Sequence, residues 1–191
     1  MKEERKRSEI MQSALKLIAE KGFIGAPMAM VAEKANVGIG TIYHYFKDKN
    51  TLINKLYMEL EGKLIKFLEG NYNEGDSVRE RFLQLYRGVL SYFTDHPLEF
   101  RYMEQYFNSP YSIDLRRDRI FDDSREGTIL KKLFLEGVEQ KFIKDLPLVV
   151  LFALSFGPIL LLLRDQILGF VTLNDTLIEK TIEACLDSIK R

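Results

Sequence analysis

The chain has very few of the residues that build disulfides, metal sites and nucleophilic active sites. Its 191 residues include one cysteine, Cys185, and two histidines, His44 and His96. A single cysteine excludes a disulfide framework and a CxxC metal or redox pair within the chain, which fits a reducing cytosol. We therefore expect neither an enzyme nor a metal or cofactor site, although composition leaves Asp and Glu chemistry open.

Net charge is also lacking, since 28 Lys and Arg balance 28 Asp and Glu. A neutral chain argues weakly against nucleic-acid binding, but the charge is unevenly distributed. Residues 1–49 hold nine basic and six acidic residues, whereas the remainder holds 19 and 22. This bias is weak by itself, but it has the sign expected of a DNA-binding head on a neutral body.

The basic start of the chain has two open interpretations. Its cationic residues alternate with Glu3, Glu4 and Glu9, so they can form a solvated helix end. Alternatively, one of them contacts a phosphate through non-specific charge attraction. The residues concerned are Lys2, Arg5, Lys6 and Arg7.

The sequence lacks the alternation of apolar and polar residues that marks a half-buried strand, and no internal repeat is evident. Apolar residues recur instead at helical spacing along nearly the whole chain. The predicted fold class is therefore all-α, with about nine helices. The start, MKEERKRSEI, lacks the apolar core of a secretory signal, so we expect a cytoplasmic protein.

Gly70 and the polar segment at 71–77 interrupt the helical pattern and mark the expected boundary between head and body. The predicted domains are a head at 1–48, a connecting helix at 49–70 and a body at 71–191. Asp48 is the predicted N-cap of the connecting helix. At 1.5 Å per residue this helix spans about 30 Å, enough to link head and body as a lever.

Residues 28–46 predict two short helices joined by a turn of about three residues, as in a helix-turn-helix. Pro27 suits the first helical position. Asn36 tolerates the left-handed conformation that ends a helix, and Gly38 can cap the next one. One face of the first helix carries the apolar residues Met28, Val31, Ala32 and Ala35.

The second of these helices has two chemically different faces. The residues predicted to face inward are Ile39, Ile42 and Phe46. The outward face offers hydroxyl, phenol and imidazole groups that can donate to phosphates and base edges, and a glycine that permits close approach. Lys49 begins the next helix, from which it can reach the sugar-phosphate backbone. The predicted contacts to double-stranded DNA, within a motif spanning Met28 to Phe46, are Gly40, Thr41, Tyr43, His44, Tyr45 and Lys49.

About a dozen positions in fixed register carry a family resemblance over roughly residues 7–56. They are Gly22-Phe23, Val31-Ala32, Ala35-x-Val37 and Gly40-Thr41-Ile42-Tyr43-x-Tyr45-Phe46-x-x-Lys49. This pattern resembles the TetR family of one-component bacterial transcription regulators. Elsewhere the likeness is limited to length and helix layout. Two departures leave local contacts open, since the family commonly has hydroxyl residues where this chain has Ala26-Pro27 and Gly38.

The resemblance implies a homodimer with an N-terminal operator-binding head and a C-terminal domain that dimerises and binds an effector. It implies a ligand-responsive repressor of a pseudo-palindromic operator, with a transcriptional activator of the same fold as the alternative. It also suggests a pocket for a small, largely apolar effector among the aromatic residues of 82–142. The residues predicted to line that pocket are Tyr86, Phe93, Tyr102, Tyr106 and Phe134.

The one long uncharged run, Leu146 to Leu163, reaches the lower length limit of a membrane span. A membrane-associated helical protein is therefore a further alternative, but Gly157-Pro158 interrupts the run and Arg164-Asp165 follows it. We expect no membrane, and instead a partner subunit that covers the run while the last helix completes a dimeric four-helix bundle. The predicted dimer interface comprises Leu146 to Leu163, Leu177, Ile178, Ile182, Cys185, Leu186 and Ile189.

Overall fold

The computed structural model describes residues 2–121 and 129–191. Within these ranges every regular element is a helix, apart from one isolated bridge between Ile143 and Lys190. A short 3-10 turn spans Pro110–Ser112. The α-helices are α1 (Lys2–Lys21), α2 (Met28–Lys34), α3 (Ile39–Tyr45), α4 (Lys49–Glu69), α5 (Val78–Asp95), α6 (Pro97–Phe107), α7 (Ile113–Phe121), α8 (Ile129–Glu139), α9 (Leu148–Ser155), α10 (Gly157–Ile167) and α11 (Asp175–Ile189).

The predicted all-α class is confirmed, and the described ranges hold eleven α-helices against about nine expected. Part of the difference lies in the apolar run Leu146 to Leu163, which the structure divides between two helices. There Phe156 separates α9 from α10, directly before the Gly157-Pro158 pair. Pro158 lacks an N–H for the helical ladder, which accounts for the interruption.

The chain divides into two compact units, which we call the head unit and the body unit. The head unit comprises Met1–Gly62 and His96–Asp114, and the body unit comprises Lys63–Asp95 and Leu115–Arg191. This division differs from the domain ranges expected from sequence in two ways. The boundary falls inside α4, and α6 groups with the N-terminal helices.

Helices α1 to α3 bury the faces that their spacing predicts, with one exception. Ile10, Ala14, Leu17 and Ile18 of α1 are buried, and α1 ends at Gly22 with φ of +73°. The predicted apolar face of α2 is also buried, as are Ile42 and Phe46. Ile39, expected to face inward, is 43% exposed. Ile39 is the first residue of α3 and directly follows Gly38, whose backbone is extended. It therefore lies at the N-terminal end of the helix and not in the middle of the buried face.

Helix α6 joins the head unit through aromatic and hydroxyl groups. The Tyr102 hydroxyl donates to the carbonyl of Ile53 at 2.7 Å, and the Tyr106 hydroxyl donates to Asn54 Oδ1 at 3.0 Å. The Tyr106 ring stacks on Tyr57 with centroids 4.1 Å apart. Phe23, in the loop after α1, packs edge-on against Tyr102. These interactions attach α6 to α4 and to the loop after α1.

The body unit has its own core, built chiefly on α5. The Phe82 and Tyr86 rings stack with centroids 3.9 Å apart, and the Tyr86 hydroxyl donates to Ser155 Oγ at 2.7 Å. Ser155 donates in turn to the carbonyl of Leu151, so both buried hydroxyls are satisfied. At the surface, the Arg87 guanidinium binds the Glu179 carboxylate, joining α5 to α11 and lowering the pKa of that carboxyl.

Candidate DNA-binding surface

Three residues with distinct backbone conformations define the start of α2 and the turn between α2 and α3. Pro27, extended at φ −65° and ψ 153°, is the N-cap of α2, so the expectation that it occupies the first helical position is wrong. Asn36 adopts the left-handed conformation with φ of 52°, as predicted. The Val37 amide then donates back to the carbonyl of Ala32 at 3.0 Å, which closes the helix end. Gly38 is the N-cap of α3, also as predicted. The Thr41 amide in α3 donates a hydrogen bond to the Gly38 carbonyl.

Residues predicted to contact DNA share the outer side of α3. Gly40, Thr41, His44 and Tyr45 line one hollow of about 530 Å³, together with Glu3 and Lys6 of α1. A Cβ atom at Gly40 would meet no atom within 4 Å, so this stretch of backbone is open to approach. The structure thus brings four of the six predicted residues onto one surface.

Tyr43 and Lys49 lie apart from that hollow. Tyr43 is 51% exposed, with its phenol available to solvent. Lys49 Nζ donates to the carbonyl of Phe23, and partial burial lowers the pKa of its ammonium group. In this structure Lys49 therefore holds the loop after α1 with one of the three N–H donors of its ammonium group, and its phosphate contact stays a prediction.

The residues behind α3 fix its position. Phe46 is fully buried, and the cations of Arg7 and Lys55 each lie 5.9 Å from the centre of its ring. The Asp48 carboxylate accepts a hydrogen bond of 2.7 Å from the Thr51 amide, which confirms Asp48 as the N-cap of α4. This bond lowers the pKa of the Asp48 carboxyl. Thus α3 is anchored on both its inner side and its C-terminal end.

Glu3 is a residue of this surface that sequence reasoning did not single out. Glu3 and Lys6 are three residues apart, so the sequence does show that they lie on the same side of α1. Which side of α1 turns toward α3 depends on how α1 packs, and spacing alone does not contain that information.

The aromatic residues predicted to line an effector pocket are divided between the two units. Tyr86, Phe93 and Phe134 are buried in the body unit. Tyr102 and Tyr106 are buried in the head unit, where each hydroxyl has the hydrogen bond described above. A sequence cannot separate these two groups, because both consist of aromatic residues at helical spacing.

The predicted dimer residues are also of two kinds. Four of them from α11 are buried within the chain itself, namely Ile182, Cys185, Leu186 and Ile189. Burial raises the pKa of the Cys185 thiol, consistent with a packing role. By contrast, α9 and α10 leave large apolar side chains exposed, and Leu177 of α11 joins them. The exposed members are Val149, Val150, Leu154, Leu161 and Leu177.

By length and composition, Leu148–Ile167 is the one candidate membrane span among the described residues, and 22% of an 18-residue apolar stretch within it is buried in the single chain. The same test is passed by apolar helices of soluble proteins. No described part of the chain covers the exposed apolar side chains of α9 and α10. Exposed apolar surface that extends over several residues is typical of an interaction site.

Comparison with protein families gives two separate matches. Residues 10–56 match the model of bacterial regulatory proteins of the tetR family, and residues 77–190 match a tetracyclin repressor-like C-terminal domain. The first covers the surface described above, and the second covers most of the body unit.

Individual relatives agree with the family models. The chain is 34% identical over 82 residues to a fatty acid metabolism regulator protein of Bacillus subtilis, a match that spans 42% of each chain. It is 30% identical over 146 residues to YttP of the same organism, named an HTH-type transcriptional regulator, covering 74% of this chain and 69% of that one. A TetR-family transcriptional regulator structure from Vibrio parahaemolyticus superimposes with a TM-score of 0.78 at 28% identity, covering 97% and 99% of the two chains.

Proposed function

This chain belongs to the TetR family of bacterial regulatory proteins, and from that premise we propose that it is a homodimeric, ligand-responsive transcriptional repressor. Helix α3 of each subunit enters the major groove of a pseudo-palindromic operator. Half-sites then lie about 34–36 Å apart, or a multiple of this distance. The chain acts by binding DNA and not as an enzyme.

The observation that carries the DNA-binding proposal is the shared outer side of α3. Its inner residues Ile42 and Phe46 are buried, while Gly40, Thr41 and His44 line an open hollow. A major groove about 12 Å wide admits a helix, and the Thr41 hydroxyl and His44 imidazole can donate to base edges or phosphates. Tyr43 supports a phosphate contact at the margin, because its phenol is exposed.

The direct test is DNA binding by purified protein at fixed salt. A duplex is first selected from a random library, and its affinity is measured by fluorescence anisotropy. Thr41→Ala and His44→Ala should each weaken binding by about tenfold or more, the usual effect of losing a base or charge-assisted contact. Lys16→Ala is the matched control, because Lys16 is exposed near the other end of α1. Unchanged affinity in both α3 variants would remove these residues from the interface.

The dimer proposal is supported by the exposed apolar side of α9 and α10. A second copy of the chain would cover Leu154 and Leu161, which are 41% and 51% exposed. Burying such side chains contributes about 25 cal/mol per Å² of apolar surface. The α11 residues Ile182 and Leu186 are not included, since they already form the core of their own subunit.

Leu161→Glu should convert the dimer to monomer in multi-angle light scattering, because a charge at a covered apolar site lacks compensation. Ile24→Glu is the control, since Ile24 is an equally apolar residue that is 98% exposed in the head unit. A wild-type protein that is monomeric in solution would contradict the dimer proposal. A wild-type protein that requires detergent to leave the membrane fraction would favour the membrane alternative.

The effector proposal places a small, largely apolar molecule in the body unit. Tyr86, Phe93 and Phe134 supply apolar rings. The Tyr86 hydroxyl donates its proton to Ser155 and keeps acceptor capacity for one polar group of a ligand. Since one relative is a fatty acid metabolism regulator, saturated fatty acids of graded length are a sensible first panel. A binder should raise the thermal midpoint and lower operator affinity. If a fatty acid raises the midpoint with unchanged operator affinity, the regulatory part of the proposal is wrong.

A further inference from the structure

The first turns of α1 and the outer side of α3 form one hollow. Glu3 and Lys6 from α1 face Gly40, Thr41, His44 and Tyr45 across a space of about 530 Å³. The hollow is open and holds one acidic and one basic side chain. It therefore continues the proposed DNA-binding side of α3 onto a second helix.

The basic residues at the start of α1 have different surroundings. Arg5 pairs with Glu9 at 2.9 Å on the exposed side of the helix. Arg7 pairs with Glu59 at 3.1 Å and lies over the Phe46 ring, so it serves the packing of the head unit. Lys6 takes part in none of the ion pairs found among residues 2–121 and 129–191, and it is half-buried beside α3. Of these three cations, Lys6 is the one whose charge remains available at the hollow.

We infer that Lys6 binds a backbone phosphate of the DNA strand bordering the groove that α3 enters, and that Glu3 weakens this contact. The inference rests on the proposed DNA-binding function and deepens it. Lysine binds phosphate as a point charge without strict geometry, so its position beside Thr41 is sufficient. Glu3 lies in the same hollow, and its negative charge repels the same phosphate.

The opposite charges of Lys6 and Glu3 set the part of the DNA affinity that does not depend on base sequence. Phosphate contacts release condensed counterions, and each contributes about 0.9 to the slope of log affinity against log salt. Because Glu3 offsets part of the attraction, the protein dissociates from non-operator DNA more readily than Lys6 alone would allow. Reading of the operator sequence stays with the α3 side chains.

The test is the salt dependence of binding to a selected duplex and to an unrelated duplex of equal length. The full-length proteins compared are wild type, Lys6→Gln, Glu3→Gln and the control Lys16→Gln. Lys6→Gln should lower the slope of log affinity against log salt by about one. It should weaken binding to both duplexes by a similar factor. Glu3→Gln should increase the affinity for both duplexes by about two- to fivefold at low salt. A purely structural role of Glu3 would not produce this increase.

The outcomes separate this inference from the function on which it rests. If wild type binds the selected duplex and Lys6→Gln keeps the slope of Lys16→Gln, the inference is overturned while DNA binding stands. An unchanged affinity in Glu3→Gln would overturn the role of Glu3. If wild type shows no salt-dependent binding to either duplex, the proposed function itself fails.

Discussion

The hydroxyl of Tyr102 donates a hydrogen bond of 2.7 Å to the main-chain carbonyl of Ile53. This bond joins the middle of α6 to the first turns of α4, across a separation of 49 residues in the chain. Tyr102 is fully buried, and its ring also packs against Phe23. Although α6 follows the first helix of the body unit in sequence, its side chains thus complete the core of the head unit.

Tyr102→Phe removes that hydroxyl and keeps the ring. We expect the free energy of unfolding to fall by about 1 kcal/mol, the usual net value of a buried hydrogen bond. Urea unfolding followed by circular dichroism measures the change. Tyr111→Phe is the matched control, because Tyr111 also packs on Phe23 but is only half-buried. Equal stability of the two variants would show that the Ile53 bond adds nothing.

High pH should destabilise the protein through its buried phenols. Burial raises the pKa of Tyr86 and of Tyr102 well above the ordinary value of 10.0. Above pH 10 the unfolded chain therefore releases protons that the folded chain keeps, so stability is complete below this pH and is lost as pH rises. Each phenol contributes up to about 1.4 kcal/mol per pH unit to the loss.

Urea unfolding at successive pH values between about 9 and 11.5 tests this linkage. Tyr86→Phe should be less stable than wild type at pH 9 but should lose stability less steeply above pH 10, because one titrating phenol is gone. Tyr43→Phe removes an exposed phenol and should follow the wild-type curve. A Tyr86→Phe curve parallel to wild type would contradict the assignment.

Gly25 tolerates no side chain, because its backbone lies against the end of α1. A Cβ atom there would overlap the carbonyl oxygen of Lys21 and lie 2.8 Å from the Lys21 Cβ. Since one of these atoms is backbone, rotation of a side chain cannot relieve the clash. Gly25→Ala should lower stability by about 1–3 kcal/mol, as overpacking typically does.

Gly62→Ala supplies the opposite control for that variant. Gly62 is exposed within α4, and a Cβ atom there would meet nothing within 4 Å. The substitution should raise stability by up to about 1 kcal/mol, since alanine favours a helix more than glycine. Thermal unfolding of both variants in parallel distinguishes a local clash from a general effect of replacing glycine. If Gly25→Ala were as stable as wild type, the loop after α1 would be able to move away from Lys21 and accommodate the added Cβ atom.

Gly38 is the N-cap of α3 and makes no side-chain capping bond. Serine fits at this position, because the nearest atom to an added Cβ is Thr41 Oγ1 at 4.0 Å. Gly38→Ser should raise stability by a few tenths of a kcal/mol, the usual difference between these caps. It should also tighten operator binding if the new hydroxyl reaches a phosphate. Gly38→Ala isolates the cap, since it adds a Cβ without an acceptor, and equal stability of Ser and Ala variants would exclude capping.

The local structure of the helix-turn-helix follows closely from residue chemistry. Asn36 was predicted to adopt the left-handed conformation, Gly38 to cap α3 and Asp48 to cap α4, and all three do so. These features depend on neighbours within a few residues. Ile39 is the exception, because helical spacing places it on the inner side of α3, whereas this first residue of the helix is 43% exposed.

Contacts between residues far apart in the chain could not be predicted from local residue chemistry. Tyr102 and Phe93 have the same apolar aromatic character and the same helical spacing, yet they lie in different units. Similarly, Leu161 and Leu186 both read as interface positions, but only Leu161 is exposed in the single chain. Each of these differences depends on which distant helix covers the side chain, and this is absent from any local pattern.

The sequence by itself determined the all-α class, the helix-turn-helix register and the chemistry offered by α3, because each depends on propensity, capping and periodicity over short distances. Only the tertiary structure decided that α6 belongs with the head unit, that Lys49 holds the Phe23 carbonyl, and that Glu3 and Lys6 share a hollow with Thr41. These relations join residues far apart in the chain, so the packing of whole helices sets them.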